Sequence, residues 1–185
     1  EEGFVCCYSD ILFTGDVVPN WSSVSNTTAA VGGRWFDPNQ IEVDGAGGGL
    51  QNGRTCWGDF DMDGDVDILA SGATTGSTRE LRVYKNNGNG TIDNARIEVD
   101  GAAQGFINSS VSWGDFDNDG DLDVLASGLR SSTKELRVYI NNGNGTISAN
   151  QIEVDGAGGG LYYGTVNWGD FDNDGDLDIL ASGSI

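Results

Sequence analysis

The stretch Trp57–Gly72, "WGDFDMDGDVDILASG", decides the fold, because it returns twice further along the chain. It reappears as "WGDFDNDGDLDVLASG" from Trp113 and as "WGDFDNDGDLDILASG" from Trp168. Each copy places five aspartates within nine residues. Three copies of one acidic string indicate a repeating unit rather than an isolated acidic turn.

The repeat is 55 to 56 residues long, and other landmarks keep the same spacing. The string "IEVDG" begins at Ile41, Ile97 and Ile152, and "ELRVY" begins at Glu80 and Glu135. Repeats of this length are typical of propellers and solenoids. Thirty glycines among 185 residues favour short strands and tight turns over long helices. We therefore predict an all-β protein.

Four short strands are predicted within one repeat. The first leads into the acidic stretch over Thr55–Phe60, and the second leaves it over Asp67–Ser71. The third and fourth, Arg79–Asn86 and Ala95–Asp100, alternate apolar and polar residues, as half-buried strands do. Between them lies "NNGNGT", whose Asn-Gly steps suit a hairpin turn. Four antiparallel strands per repeat predict a β-propeller blade.

At this spacing the chain divides into about three and a half blades. The predicted boundaries are 1–48, 49–104, 105–160 and 161–185, the last being half a blade. The first blade is predicted to be a degenerate copy, because "SDILFTG" from Ser9 matches "VDILASG" from Val66 but the acidic stretch before it is missing. Closed propellers have roughly four to eight blades, so we expect an incomplete ring.

The formal net charge of −20 is concentrated in the three acidic stretches. Fifteen of the 29 acidic residues lie in three nine-residue loops, the first loop (59–67), the second loop (115–123) and the third loop (170–178). Outside them, fourteen acidic residues face nine basic ones, the balance of a mildly acidic globular chain. This charge argues against a nucleic-acid groove, and no apolar run approaches the ~20 residues that span a membrane.

The spacing of the aspartates predicts a metal site in each loop. Acidic residues occupy positions 1, 3, 5, 7 and 9, and Gly64 at position 6 supplies a sharp turn that a side chain would obstruct. Side chains at positions 1, 3, 5 and 9 can converge on one ion, while position 7 offers its backbone carbonyl. Hard oxygen ligands in a flexible cage suit Ca²⁺ better than Mg²⁺ or a transition metal. The predicted calcium ligands are Asp59, Asp61, Asp63, Asp65 and Asp67; Asp115, Asp117, Asp119, Asp121 and Asp123; and Asp170, Asp172, Asp174, Asp176 and Asp178.

The loops are not EF-hands, because position 12 is Ala70, Ala126 or Ala181 where an EF-hand carries glutamate. They resemble instead the D-x-D-x-D-G-x-x-D loop of FG-GAP repeats, also called VCBS repeats, found in integrin α-subunit propellers, some lectins and many bacterial surface proteins. The hairpins "VYKNNGNGT" and "VYINNGNGT" also resemble that family. The resemblance covers residues 50–185 well and 1–49 poorly. It implies three structural Ca²⁺ ions, each between the first and second strands of a blade.

Other residues carry alternative interpretations. No histidine is present, so the usual serine and cysteine nucleophile arrangements lack their base, and we predict no enzyme activity.

Tyr162 and Tyr163 break the repeat and are the better candidates for ligand contact. The repeated aromatic residues are predicted to pack between blades rather than to stack on sugars. They are Trp57, Trp113, Trp168, Phe60, Phe116 and Phe171.

Together these features predict a calcium-stabilised structural or adhesive repeat protein that is secreted or lies on the cell surface. The open strand edge of the last blade predicts self-assembly into a ring or a fibre, with other copies of the chain as partners. A lectin-like propeller that binds glycans is one alternative, and a fragment of a larger adhesin or receptor head is another. Neither a nucleic-acid partner nor a membrane span is expected.

Overall fold

The computed structural model describes residues 43, 49–156 and 159–185, and the predicted first blade therefore lies outside the described residues apart from Val43. The described chain contains ten β-strands. They are β1 (Gln51–Gly58), β2 (Asp67–Ala73), β3 (Arg79–Tyr84), β4 (Ile97–Glu98), β5 (Ile107–Gly114), β6 (Asp123–Arg130), β7 (Thr133–Asn141), β8 (Ile147–Glu153), β9 (Tyr162–Gly169) and β10 (Asp178–Ser184). The prediction of an all-β protein is confirmed.

The strands form three antiparallel sheets in which each strand pairs with its neighbour in the chain. The first sheet contains β1 to β4, the second contains β5 to β8, and the third contains β9 and β10. Two sheets of four strands and one of two match the predicted blades of four antiparallel strands. Within the described residues the sheets form an open array rather than a closed ring.

The predicted strand bounds differ from the observed ones at the outer edge of the first sheet. The fourth strand was expected over Ala95–Asp100, but β4 contains only Ile97 and Glu98. These two residues pair with Val83 and Arg82, and one further backbone hydrogen bond of 2.9 Å runs from Val99 to the Leu81 carbonyl. The equivalent edge strand β8 contains seven residues, so the short pairing is particular to the first sheet.

Each sheet buries its apolar side chains against the next sheet. Between the first and second sheets lie Phe60, Leu69, Val83, Phe106 and Val124, among other buried residues. A smaller cluster around Leu125, Leu136, Val138 and Val166 lies between the second and third sheets. All seven residues of β2 are buried, whereas most of the equivalent β10 is exposed. The apolar contacts therefore run from sheet to sheet along the array.

The repeated tryptophans provide the contact between sheets. Trp113 packs on Phe60 with ring centroids 5.9 Å apart, and Trp168 packs on Phe116 at 5.6 Å. A Cβ added at Gly58 would lie 2.6 Å from the Trp113 ring, so the glycine before the loop makes room for the indole. The predicted packing between blades is thus confirmed for Trp113 and Trp168. For Trp57 it stays a prediction.

Polar contacts also cross the boundary between the first and second sheets. The Asn141 side chain, at the end of β7, donates a hydrogen bond of 2.9 Å to the carbonyl of Phe60 in the first loop, and one of 3.3 Å to Leu122 in the loop of its own sheet. Asp100 accepts a hydrogen bond of 2.6 Å from Arg130 and another of 2.6 Å from Gln151. These buried partners fix the orientation of one sheet on the next. Across the same described residues, no helix is long and apolar enough to cross a membrane.

Candidate metal centres

The three loops share one backbone conformation, set by two left-handed residues. Position 6 is glycine with φ of 95° to 97°, and position 4 has φ of 56° to 61°. Asparagine tolerates that conformation, but the first loop places Met62 at position 4. A Cβ at Gly64 would have nothing within 4 Å, so glycine is required by its φ and not, as expected from the sequence, by obstruction of a side chain. The position-4 residues are Met62, Asn118 and Asn173.

The carboxylate at position 1 closes each loop by accepting two backbone hydrogen bonds. In the first loop, Asp59 Oδ1 accepts from the N–H of Asp63 at 3.1 Å, and Asp59 Oδ2 accepts from Gly64 at 3.0 Å. The second and third loops repeat both bonds within 0.1 Å. The position-5 carboxylate then accepts from the N–H at position 7 at 2.9 to 3.0 Å. The acidic side chains are therefore held in place by the loop's own amides.

The carboxylate at position 9 connects the first and second loops to the hairpins of their sheets. Asp123 is fully buried, and its two oxygens accept hydrogen bonds from the N–H of Phe116 (2.8 Å) and of Asn141 (2.8 Å). Asp67 makes the equivalent bonds to Phe60 and Asn86 at 2.9 and 2.7 Å. Burial raises the pKa of Asp123 to about 6 against the lowering effect of these bonds. Because burial disfavours the ionised form of such a carboxylate, a nearby cation stabilises it more than it would stabilise an exposed carboxylate.

The carboxylates at positions 1, 3 and 9 converge in every loop. One oxygen from each of the three side chains lies within 4.8 Å of the other two. The carboxylates at positions 5 and 7 are not part of these groups. The structure therefore brings together three of the four side chains predicted to converge in each loop, and the position-5 carboxylate is the one left out. The groups are Asp59, Asp61 and Asp67; Asp115, Asp117 and Asp123; and Asp170, Asp172 and Asp178.

The side chain at position 7 lies against a glycine of the hairpin between the third and fourth strands. A Cβ added at Gly88 would overlap the Asp65 carboxylate, and one at Gly143 would overlap that of Asp121. The carboxylate is directed to the hairpin, and the backbone carbonyl of position 7 remains the atom that could contribute to an ion site. This contact could not be predicted from the sequence, because the Asn-Gly turn already accounted for both glycines.

Two further contacts distinguish the loops from one another. Lys85 forms an ion pair with Asp61 in the first loop, and the hydrogen bond to Asp61 raises the Lys85 pKa. Ile140 stands at the corresponding position beside the second loop. Asn118 donates a hydrogen bond of 2.8 Å to Asp176, which connects the second loop to the third. Neither Lys85 nor Asn118 was identified from the sequence, because each acts on a group that is distant along the chain.

The donor set fits a hard divalent cation. All candidate side-chain ligands are carboxylate oxygens, which Ca²⁺ and Mg²⁺ prefer over nitrogen- or sulfur-binding metals. Asp61 Oδ1, which belongs to the converging group of the first loop, is buried without a hydrogen-bond partner. Two like charges roughly 4 Å apart repel by about 4 kcal/mol at an effective dielectric constant of about 20. A cation bound among them would remove that repulsion.

Four-stranded sheets with an acidic loop between their first two strands define a class of propeller-type repeat proteins. The family model described as FG-GAP-like repeat matches residues 59–126 and 127–181, about two thirds of the chain. The chain therefore belongs to the FG-GAP repeat family, whose repeats are structural and adhesive modules typical of extracellular proteins. Comparisons with curated proteins and with solved structures found no match.

Proposed function

We propose that this chain is an extracellular structural or adhesive repeat protein in which each acidic loop binds one Ca²⁺. The observation that carries the proposal is the convergence of three carboxylates, at positions 1, 3 and 9, in all three loops. Membership of the FG-GAP repeat family supports the extracellular setting. In each loop, the side chain at position 5 and the backbone carbonyl at position 7 would complete the oxygen coordination that Ca²⁺ requires.

The position of the loops explains how calcium would stabilise the fold. The N–H of Phe60 binds Asp67 within the first loop, and the carbonyl of Phe60 accepts from Asn141 of the second sheet. The same residue thus touches both a candidate ligand and the neighbouring blade. Because a bound cation relieves the repulsion among the carboxylates of the folded loop, free energy of binding becomes free energy of folding.

The test is a count of bound ions in wild-type protein and in loop variants. We expect three Ca²⁺ per chain by equilibrium dialysis, with dissociation constants on the order of 10⁻⁴ to 10⁻³ M, as in other extracellular modules. Asp119→Ala and Asp174→Ala should each remove one ion. Asp93→Ala, which changes an aspartate outside the loops, is the matched control and should keep all three. A folded wild-type protein that binds no calcium at millimolar concentration would refute the proposal.

We further propose that copies of the chain associate through the exposed face of β9 and β10. Phe171 is 89% exposed and Leu180 is 70% exposed, whereas the equivalent Phe60 and Leu69 are fully buried by the next sheet. Nothing among the described residues lies within 4 Å of a Cβ added at Gly169, although the equivalent Gly58 and Gly114 each lie against an indole ring. The third sheet therefore presents the same surface that accepts a blade elsewhere in the array. A blade from a second copy would extend the series to a ring or a fibre.

Light scattering at increasing protein concentration tests this association. Wild-type protein in calcium should form dimers or larger species, and Phe171→Ser should shift it toward the monomer by about tenfold in dissociation constant, as loss of a buried aromatic contact predicts. Met62→Ser, a change at another exposed apolar residue, serves as the control. A wild-type protein that stays monomeric at high micromolar concentration would refute the association and leave the calcium proposal untouched.

Carbohydrate binding is the second candidate function, and Tyr163 favours it. Its φ is 53°, and the equivalent residues of the preceding repeats are Asn52 and Asn108, with φ of 57° and 51°. A bulky residue in that conformation costs roughly 1–3 kcal/mol. Tyr163 is nevertheless 71% exposed and lies against Tyr162 with ring centroids 4.7 Å apart. An exposed tyrosine ring beside a half-buried one can stack on a sugar ring.

A glycan array separates this candidate from a purely structural role. We expect Tyr163→Asn, which restores the residue of the preceding repeats, to abolish any glycan binding while leaving the melting temperature equal or higher. Glycan binding that survives the substitution would place the ligand elsewhere, and a wild-type protein that binds no glycan would remove the candidate.

A further inference from the structure

The first and second loops face two hairpins that differ at one residue. The segments 80–92 and 135–147 are identical over thirteen residues except that Lys85 is replaced by Ile140. Both segments enclose the third strand and the turn that binds the position-9 carboxylate through Asn86 or Asn141. Two of the three acidic loops thus face nearly identical hairpins, one of which carries a lysine where the other carries an isoleucine.

The Lys85 ammonium group contacts one of the converging carboxylates. Its Nζ pairs with Asp61 Oδ2, and the side chains of the two residues are only 30% and 14% exposed. Asp61 is the position-3 member of the group formed with Asp59 and Asp67. The other Asp61 oxygen, Oδ1, is buried without a hydrogen-bond partner. One oxygen of the first loop is therefore already bound to a cation that the chain itself supplies.

The second loop has no equivalent contact from its hairpin. Ile140 packs against the apolar cluster that includes Leu125, Val138 and Val166. The carboxylates of Asp115, Asp117 and Asp123 converge there in the same way as in the first loop. The two hairpins thus differ by one positive charge at one carboxylate, and the loops themselves differ at position 4, where Met62 stands in place of the Asn118 that donates to Asp176.

We propose that Lys85 is a built-in counter-cation that lowers the calcium affinity of the first loop below that of the second and makes the first loop less dependent on calcium for its conformation. This inference rests on the proposed binding of Ca²⁺ by the loops. An incoming ion must displace the ammonium group from Asp61 or bind beside it. In either case the electrostatic attraction between Ca²⁺ and the first loop is weaker than that between Ca²⁺ and the second loop. In the calcium-free protein the same ammonium group relieves the repulsion among the first-loop carboxylates, and the second loop lacks this relief.

The experiment is a calcium titration that follows the two loops separately. The backbone amides of Gly64 and Gly120 report on the first and second loops in two-dimensional NMR spectra of the full chain. In wild-type protein we expect Gly120 to titrate at a lower calcium concentration than Gly64. Lys85→Ile, which copies the second hairpin, should tighten binding at Gly64 by about three- to tenfold, as the loss of one partly screened charge predicts. Gly120 should not change.

Two variants distinguish charge from shape. Lys85→Gln removes the charge but keeps a long polar side chain, and it should tighten the first loop as Lys85→Ile does. Lys85→Arg keeps the charge and should retain the weak wild-type binding.

A second measurement is amide hydrogen exchange in calcium-free buffer. Exchange at Asp63 and Gly64 should be faster in Lys85→Ile and Lys85→Gln, but not in Lys85→Arg.

The outcomes distinguish a failure of the role of Lys85 from a failure of calcium binding by the loops. If Gly120 titrates with calcium but the Gly64 curve is the same in wild type, Lys85→Ile and Lys85→Gln, the role of Lys85 is refuted and calcium binding stands. If neither glycine responds in any variant, calcium binding itself fails and the inference fails with it.

Discussion

At the scale of single residues, the acidic loops depend on partners that the repeat pattern does not reveal. The aspartates could be identified because charge at every second position, with glycine at position 6, has few explanations other than a metal site. The contact of Lys85 with Asp61 could not, because it joins residues 24 positions apart whose proximity exists only after the sheet has formed. A lysine in a hairpin is unremarkable in sequence. The proposed role of Lys85 depends on the Asp61 carboxylate beside it.

Gly143 also contacts a carboxylate that is distant along the chain, and a pair of glycine variants can test that contact. Its φ is 68°, and a Cβ there would overlap the Asp121 carboxylate; Gly145 has a similar φ of 79° but nothing within 4 Å. Both Gly143→Ala and Gly145→Ala should lose about 1 kcal/mol from the left-handed backbone. Only Gly143→Ala must also move Asp121, so we expect it to be less stable than Gly145→Ala by a further ~1 kcal/mol or more.

Urea denaturation of the two variants in calcium provides the measurement. A further effect is expected in calcium binding, since displacing Asp121 disturbs the second loop while Gly145→Ala leaves it intact. Equal losses of stability in the two variants would mean that the carboxylate moves away from Gly143 without cost, contrary to the packing described.

At the scale of strands and hairpins, periodicity and turn chemistry account for most of the architecture. Alternation and the Asn-Gly turns predicted the strands, and the repeat predicted their number in each sheet. The length of β4 and the role of Asn141 were not predicted. The alternating pattern does not reveal how many residues an edge strand pairs. A turn asparagine gives no hint that its side chain reaches another sheet, as Asn141 does to the Phe60 carbonyl.

The two hairpin asparagines form a matched pair for measuring that contact. Asn86 and Asn141 each accept a hydrogen bond of 3.1 Å from a glycine N–H within their own turn. Asn86 donates to the Val66 carbonyl at an exposed site, whereas Asn141 donates to a buried carbonyl of the neighbouring sheet. Asn141→Ala should therefore cost ~1–3 kcal/mol more than Asn86→Ala, because it leaves the Phe60 carbonyl buried without a partner. Thermal denaturation of both variants in calcium gives the difference, and equal costs would exclude a structural role for the contact between sheets.

At the scale of the whole molecule, the sheets form a linear series in which each blade is stabilised by its neighbours. The repeat length predicted propeller blades in an incomplete ring, and within the described residues the blades do form an open array in which neighbours share a core. The sequence did not reveal how unequal the blades are. Asp67 and Asp123 are fully buried while the equivalent Asp178 is exposed, because burial of a loop depends on the next sheet along the series.

The third sheet should accordingly open without the second. It contains only β9 and β10, and the Trp168 ring joins it to the second sheet through Phe116 and Gly114. Trp168→Ala should lose most of that contact, roughly 3 kcal/mol for a large aromatic side chain that is partly buried. Phe171→Ala, which removes an aromatic ring that is 89% exposed, is the control and should have little effect in dilute protein.

Amide hydrogen exchange resolves the two sheets. In Trp168→Ala we expect β9 and β10 to lose protection by about a hundredfold, since ~3 kcal/mol corresponds to that factor in an opening equilibrium. Strands β6 and β7, whose other face packs on the first sheet through Val124 and Tyr139, should retain most of their protection. An equal loss of protection in both sheets would mean that the described chain unfolds as one cooperative unit, and a linear series of separately stabilised blades would then be the wrong description.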